Sequence, residues 1–177
     1  MKDLLKQALE NLCHDYNVGT FVPILEADVA AYLYHLWILE SGKASNVHLD
    51  TRIHQRQRSF FDFVTGRIDY GVAKPCISNP ELIAEIKAFP IGFTHQQNRR
   101  HYFQVIERDL PKLASVTNPQ DSRFEILFNE NNYLGGNDVK NSSSRMAYII
   151  KTRDTLDGKI RVVFLKKTAG TLECKIL

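Results

Sequence analysis

Cysteine is scarce in this chain of 177 residues, and long apolar runs are missing. The three cysteines, Cys13, Cys76 and Cys174, are widely separated and odd in number, which argues against a disulfide framework and against a cysteine-rich zinc site. No apolar run approaches the ~18 to 20 residues that cross a membrane, and the N-terminus MKDLLKQALENLC lacks the continuous apolar core of a signal peptide. These absences predict a cytoplasmic protein without a membrane partner.

Sequence motifs of zinc and nucleotide chemistry are absent as well. The six histidines form neither an H-x-H nor an HExxH pattern, and YLGGND lacks the Lys-Ser/Thr of a phosphate-binding loop. The net charge of +3 permits an anionic partner without requiring one. Hydrophobic residues at 44% and charged residues at 24% are ordinary for a globular protein, and the length predicts a single domain over residues 1–177.

Hydrophobic periodicity predicts a mixture of helices and strands. The predicted helices cover residues 2–14, 23–40 and 94–115, with a kink or restart of the last at Pro111. The predicted strands cover residues 46–54, 59–66, 81–89 and 124–128, with a loop over 69–80. In the tail, MAYIIKT and KIRVVFLKK are expected to pair across LDG as a C-terminal β-hairpin. An antiparallel run followed by a helical crossover predicts an α/β fold, a mixed β-sheet flanked by helices.

The segment ELIAEIKAFP, residues 81–90, places two charged side chains inside an apolar strand. Glu85 and Lys87 are two residues apart, so a strand projects both to one face. Charged groups rarely enter a core unpaired, which leaves an ion pair or a functional site as the explanation. The tripeptide alone carries little weight, because Glu173-Cys174-Lys175 has the same pattern.

A second carboxylate is expected opposite Glu85. If residues 59–66 pair antiparallel with 81–89, Asp62 faces Glu85, and two such carboxylates suit a hard divalent cation. Asp69 also precedes the strand but lies nearer the end of the loop, so Asp62 is favoured and the choice stays open.

The order of these elements resembles the PD-(D/E)XK nuclease superfamily, whose fold is called restriction-endonuclease-like. The resemblance covers about residues 22–134, and a C-terminal hairpin over about 145–177 lies outside it. The matching stretches are LEADVAAYLYHLWI, SFFDFVTG, PELIAEIKAFP and ERDLPKL. One departure is Phe61, which stands where the literal pattern has a proline before the aspartate.

The resemblance implies a catalytic set of four residues. Asp62 and Glu85 would bind Mg²⁺ or Mn²⁺, Lys87 would act beside them, and Glu26 would match the glutamate of the first core helix that assists the metal. Glu26 also shares a stripe with apolar residues of its helix. Its alternative role is stabilisation of the helix N-terminus, worth about 0.3 to 1 kcal/mol.

Basic and polar residues near the predicted site suggest contacts with nucleic acid. Gln97, Arg99 and Arg100 lie in THQQNRRHY at the start of a helix, and Arg58 lies in HQRQR. Helix N-termini and arginines both favour phosphate, although both segments also fit solvated surface.

The predicted function is therefore metal-dependent hydrolysis of phosphodiester bonds in nucleic acid, with DNA favoured over RNA. The alternative is a non-catalytic nucleic-acid-binding or interaction subunit with the same fold. A homodimer is left open by the resemblance.

Overall fold

The computed structural model describes residues 2–42, 47–53, 60–69, 76–77, 79–116, 122–138 and 143–177. The helices are α1 (Lys2–Asn17), α2 (Glu26–Ser41), α3 (His95–Gln104), α4 (Leu110–Ala114) and α5 (Arg145–Asp157). A π-helical turn, Val105–Asp109, joins α3 to α4, and a 3₁₀ turn covers Tyr133–Gly135. None of the helices in these ranges is long and apolar enough to span a bilayer.

Six strands form the main sheet and two form a separate small one. The strands are β1 (Val47–Arg52), β2 (Phe60–Thr65), β3 (Ile68–Asp69), β4 (Cys76–Ile77), β5 (Leu82–Phe89), β6 (Arg123–Asn129), β7 (Arg161–Thr168) and β8 (Thr171–Ile176). The main sheet has the order β1-β2-β5-β6-β7-β8, and β3 pairs with β4. Pairs β5–β6 and β6–β7 are parallel, whereas β1–β2, β2–β5 and β7–β8 are antiparallel.

Helices cover both faces of this mixed sheet. On one face, α1 and α2 pack against alternate residues of β5 and β6, including Ala84, Ile86 and Phe128. On the other face, α3, α4 and α5 pack against the intervening apolar residues, including Ile83 and Leu127. The predicted fold class, a mixed β-sheet flanked by helices and ending in a hairpin, is confirmed.

The helix predicted over 94–115 forms in three pieces. Leu110 donates its N–H to Val105 O, five residues back, which is the π-helical pattern. Pro111 then lies in the first turn of α4, where its missing N–H costs no hydrogen bond. The predicted restart at Pro111 is therefore confirmed, and it brings the start of α4 against the sheet.

The N-terminus of α2 differs slightly from the prediction. The Asp28 carboxylate accepts the backbone N–H groups of Ile24 and Leu25 at 2.8 and 2.7 Å. The helix therefore begins at Glu26 and not at Pro23. Glu26 becomes the first helical residue, at the end of α2 that faces β5.

The strand predicted for MAYIIKT was wrong, and with it the extent of the C-terminal hairpin. Residues Arg145–Asp157 form α5, whose N-cap Ser144 accepts the N–H of Ala147. Met146 and Ile149 are buried at helical spacing, so packing outweighs the strand preference of the two isoleucines. The hairpin is instead β7–β8, which turns at Ala169 and Gly170, both with positive φ. Helix α5 supplies the crossover that parallel β6 and β7 require.

Candidate active site

The strands β2 and β5 separate at Asp62. Their paired residues end with Phe63 and Ala84, one position before Asp62 and Glu85 would meet. Beyond that point, Asp62 Oδ2 accepts the backbone N–H of Ile86 at 2.8 Å. The carboxylate therefore occupies a place that a backbone carbonyl of β2 would otherwise fill. This separation opens a gap between the two strands, and Asp62 and Glu85 both border it.

Lys87 lies between two carboxylates, neither of which is Glu85. Its Nζ is 3.0 Å from Glu26 Oε1 and 3.3 Å from Asp109 Oδ2. Burial lowers the pKa of the Lys87 ammonium, but Asp109, Glu26 and Asp62 together outweigh burial and raise that pKa above its ordinary value. Lys87 is therefore a fixed positive charge at neutral pH. The simple ion pair between Glu85 and Lys87, considered as an alternative from the sequence, is not formed.

Glu85 pairs instead with a lysine of α4. Its Oε1 lies 2.5 Å from Lys112 Nζ, and the side chains of both residues are almost completely buried. Burial and the neighbouring Asp62 carboxylate raise the pKa of Glu85 to about 9, although Lys112 opposes the shift. The glutamate therefore retains its proton at neutral pH unless a further positive charge approaches it.

Lys112 is a residue of this site that the sequence analysis missed. Besides Glu85, its Nζ contacts Phe60 O at 2.7 Å and lies 4.8 Å from the centroid of the Phe61 ring. These contacts tie α4 to the start of β2. Lys112 belongs to the stretch ERDLPKL, which comes near β5 because the π-helical turn and Pro111 direct α4 onto the sheet.

Two more buried carboxylates, Asp109 and Glu125, lie beside these residues. Glu125 is aligned with Glu85 in the parallel pairing of β5 and β6. Within the described part of the chain neither Glu125 oxygen has a hydrogen-bond partner, and the residue is fully buried. Burial, followed by the nearby Asp109 and Glu85, raises the pKa of Glu125 well above its ordinary value. Glu125 could have been identified from the sequence, because a glutamate inside the apolar strand FEILF follows the same pattern that indicated Glu85.

The side chains of the catalytic set border one polar cavity of about 430 Å³ that opens to solvent. The lining residues that bear on chemistry are Glu26, Asp62, Glu85, Lys87, His101 and Arg108. This cavity is called the β2–β5 pocket below. All four residues of the predicted catalytic set are therefore brought together at a single concave site.

His101 of α3 adds an uncharged ring to the β2–β5 pocket. Its Nδ1 lies 3.1 Å from Ala88 O, and because a carbonyl can only accept, Nδ1 carries the proton. Burial, with Lys87 and Arg100 nearby, lowers the pKa of His101. The neutral imidazole therefore keeps Nε2 as an unprotonated nitrogen.

Within the ranges that the structure describes, carboxyl groups outnumber ammonium groups in and around the β2–β5 pocket. Five carboxyl groups (Glu26, Asp62, Glu85, Asp109 and Glu125) lie near two buried ammonium groups, those of Lys87 and Lys112, and burial raises the pKa of Glu26, Glu85, Asp109 and Glu125. Among the residues described, no three or more His, Cys, Asp or Glu side chains form a group able to hold a metal ion by themselves. A cation here would therefore need water or a bound anion to complete its coordination.

The predicted nucleic-acid contacts are distributed around α3. Arg99 and Arg100 are exposed on its outer side. Gln97 belongs to the N-terminal capping box, where its Oε1 accepts the Thr94 N–H at 2.8 Å. Arg58 lies outside the described residues. Asp69, the alternative to Asp62, is in the separate β3–β4 sheet, where its backbone pairs with Cys76.

Comparison with family models and with curated proteins gives no match. Among solved structures, the chain is similar to SfsA of Pyrococcus furiosus in complex with Ca²⁺, at 15% identity and a TM-score of 0.35 over 83% of this chain. The chain spans 62% of the length of that SfsA chain. A likeness of this degree assigns neither a family nor an activity.

Proposed function

We propose that this protein is a metal-dependent nuclease that hydrolyses phosphodiester bonds in nucleic acid, with DNA as the favoured substrate. The observation that carries the proposal is the convergence of Asp62, Glu85 and Lys87 on one open pocket where β2 and β5 separate. A purely structural ion pair would join Glu85 to Lys87. In this protein Glu85 and Lys87 have different ion-pair partners, and the side chains of both remain at the pocket wall.

The donor set of the pocket suits Mg²⁺ or Mn²⁺. Both are hard cations that prefer carboxylate oxygens, and Mg²⁺ commonly uses one or two protein carboxylates together with waters and substrate phosphate. Asp62 and Glu85 would be those ligands, with Glu26 nearby on α2. Because burial and Asp62 raise the pKa of Glu85 to about 9, binding of a cation by Glu85 would be coupled to release of its proton.

A divalent cation in this pocket would activate water for attack and polarise a phosphate oxygen. Lys87 would contribute a preorganised positive charge to the phosphate as negative charge develops on it. Glu26 and Asp109 hold its Nζ in place. The raised pKa of Lys87 excludes it as a proton acceptor at neutral pH. The neutral His101 supplies an unprotonated nitrogen on the same pocket wall and could accept the proton of the attacking water.

Exposed arginines near the pocket support nucleic acid as the substrate. Arg108, at its rim, is largely exposed, and Arg100 lies on the same outer side of α3. Exposed arginines position a phosphate backbone without reading its sequence. The substrate would therefore lie across α3 with its scissile phosphate above Asp62 and Glu85.

The test is cleavage of plasmid and single-stranded DNA with Mg²⁺, with Mn²⁺ and with EDTA. The wild-type protein should cut in either metal and not in EDTA. Asp62→Asn should abolish cutting, whereas Asp154→Asn, an exposed change on α5, should cut like the wild type. Metal-dependent binding without any cutting by the wild type would favour the non-catalytic binding subunit instead.

A further inference from the structure

A second cavity lies on the other side of α3 from the β2–β5 pocket. It measures about 260 Å³, and the residues that concern its chemistry are Arg99, Tyr102, Phe103, Tyr133, Asp138 and Arg145. This cavity is called the α3–α5 cavity below. The catalytic set contributes nothing to its lining, so the proposed cleavage chemistry does not explain it.

A fixed guanidinium forms one wall of the α3–α5 cavity. Arg145 Cζ lies 4.0 Å above the centroid of the Tyr133 ring, and its Nη1 donates to Tyr133 O at 2.8 Å. Phe89, which is buried, stacks on the same tyrosine with an interplanar angle of 8°. A Cβ at Gly136 would approach Arg145 Nη1 to 2.6 Å, so glycine there leaves room for the guanidinium.

Within the described part of the chain, Arg145 makes these contacts with Tyr133 and forms no ion pair with a carboxylate. A planar, positively charged group at a cavity wall is a surface on which an unpaired nucleobase stacks. The guanidinium is also preorganised, since its Cζ lies over the Tyr133 ring and its Nη1 donates to Tyr133 O.

The lining of the α3–α5 cavity also contains a buried hydrogen-bond acceptor. Tyr102 Oη donates to Asp138 Oδ2 at 2.7 Å, and both residues are buried. A carboxylate in this position accepts the exocyclic amino group of a base such as cytosine. Arg99, exposed and 5.5 Å from the centroid of the Phe103 ring, places a further positive charge at the cavity mouth for a phosphate.

We infer that the α3–α5 cavity binds one unpaired nucleotide of the nucleic-acid substrate. Its base stacks on Arg145 with its amino edge toward Asp138, and its phosphate contacts Arg99. The volume is near the lower end, about 300 Å³, of cavities that hold small ligands, which suits one base and not a base pair. The inference rests on the proposed function, and it narrows the substrate to nucleic acid with a single-stranded segment.

The outer surface of α3 connects the two cavities. Phe103 borders the α3–α5 cavity and the exposed groove along α3, and Gln104 and Arg108 border that groove and the β2–β5 pocket. A strand occupying both cavities would cross about half the circumference of a helix, roughly 16 to 19 Å. The unpaired base would thus lie a few nucleotides from the scissile bond.

The experiment measures binding in EDTA, without cleavage, by fluorescence anisotropy. The probes are a labelled single-stranded oligodeoxycytidylate and an oligonucleotide of equal length and charge that carries abasic sugars. The wild-type protein should bind the base-bearing probe about tenfold more tightly, the scale of one stacked base. Arg145→Lys keeps the charge but loses the planar surface, so it should weaken the base-bearing probe about tenfold and leave the abasic probe unchanged.

Arg153→Lys is the matched control, because Arg153 is on the same helix and also donates to backbone carbonyls, those of Ile160 and Leu177. It should bind both probes like the wild type. Equal weakening of both probes by Arg145→Lys would overturn the base-stacking assignment. If Arg145→Lys fails to fold, the exposed Arg99→Gln remains, and it should weaken both probes. Unchanged affinity in Arg99→Gln would overturn the phosphate contact.

Two further outcomes separate this site from other possibilities. Deoxycytidine monophosphate alone should bind far more weakly than the oligonucleotide, and equal affinity would overturn the assignment to nucleic acid in favour of a free nucleotide. Base-dependent binding by a protein that never cuts would contradict only the proposed nuclease activity. Cutting without base-dependent binding would contradict only the α3–α5 cavity assignment.

Discussion

Replacement of Glu85 by glutamine should change how the stability of the metal-free fold depends on pH. Burial and Asp62 raise the pKa of Glu85 from 4.5 to about 9. The fold therefore favours the protonated carboxyl, whereas the unfolded chain releases this proton near the ordinary value. Stability contributed by this group is present below pH 4.5 and is lost as pH rises toward about 9.

The size of the effect follows from the separation of the two pKa values. Each pH unit inside that window lowers the free energy of unfolding by at most about 1.4 kcal/mol, so two units near neutrality cost up to about 3 kcal/mol. This is a large fraction of the ~5 to 15 kcal/mol that stabilises an ordinary domain. Glutamine resembles the protonated carboxyl and does not titrate. Glu85→Gln should therefore match the wild type in mild acid and exceed it in stability above neutrality.

Urea unfolding in EDTA over a series of pH values measures this difference. Glu173→Gln is the matched control, because Glu173 belongs to the other Glu-x-Lys tripeptide but is exposed on β8. It should retain the pH dependence of the wild type. If Glu85→Gln loses stability with rising pH as steeply as the wild type does, Glu85 is not the buried, protonated group described above.

Two other predictions concern the metal and the nucleic acid. Calorimetric titration of the wild type with Mn²⁺ should show binding that disappears in Asp62→Ala and survives in Asp69→Ala; the reverse result would assign the ligand to Asp69. Replacing Arg99 and Arg100 together by alanine should weaken duplex DNA binding and reduce the slope of log affinity against log salt by about 1 to 2, since each phosphate contact contributes about 0.9. An unchanged slope would indicate that both arginines are solvated surface residues of α3 that do not contact phosphate.

Much of the fold was predictable because its signals are local. The alternation of apolar and polar residues in 47–54 and the apolar run in 81–89 correctly predicted strands, and Pro111 marked the break between α3 and α4. The antiparallel pairing of β2 with β5, which brings Asp62 close to Glu85, was also predicted from the order of the two strands. The strand predicted inside α5 was wrong because Ile149 and Ile150 favour strands locally, whereas the burial of Met146 and Ile149 and the crossover between parallel β6 and β7 are decided by the rest of the fold.

The candidate site was predictable only in part, for a related reason. Asp62, Glu85 and Lys87 lie on neighbouring strands, so period-two geometry places them together. Their ion-pair partners come from helices, and no local pattern indicates that Lys112 takes Glu85 while Asp109 takes Lys87.

The α3–α5 cavity could not be predicted from the sequence, for the same reason. It joins α3 to the 3₁₀ turn at Tyr133 and the start of α5 at Arg145. In the chain, α4 and β6 separate α3 from these two segments, and the contacts that join them, such as Tyr102 Oη to Asp138 Oδ2 and Arg145 Nη1 to Tyr133 O, follow no local pattern.

The most direct test of the central claim is the rate of DNA cleavage by Lys87→Met. Methionine keeps much of the stem and removes the charge that Glu26 and Asp109 hold at the pocket. Lys167→Met is the matched control, since Lys167 is a strand lysine that contacts Glu130 away from the pocket. Single-turnover cleavage in Mg²⁺ and thermal melting are measured on the same preparations, below the melting temperature of each variant. Lys87→Met should remain folded and cut at least about a hundredfold more slowly, the scale of one preorganised electrostatic group, while Lys167→Met cuts at the wild-type rate. A folded Lys87→Met protein that cuts as fast as the wild type would contradict the assignment of this pocket as a nuclease site.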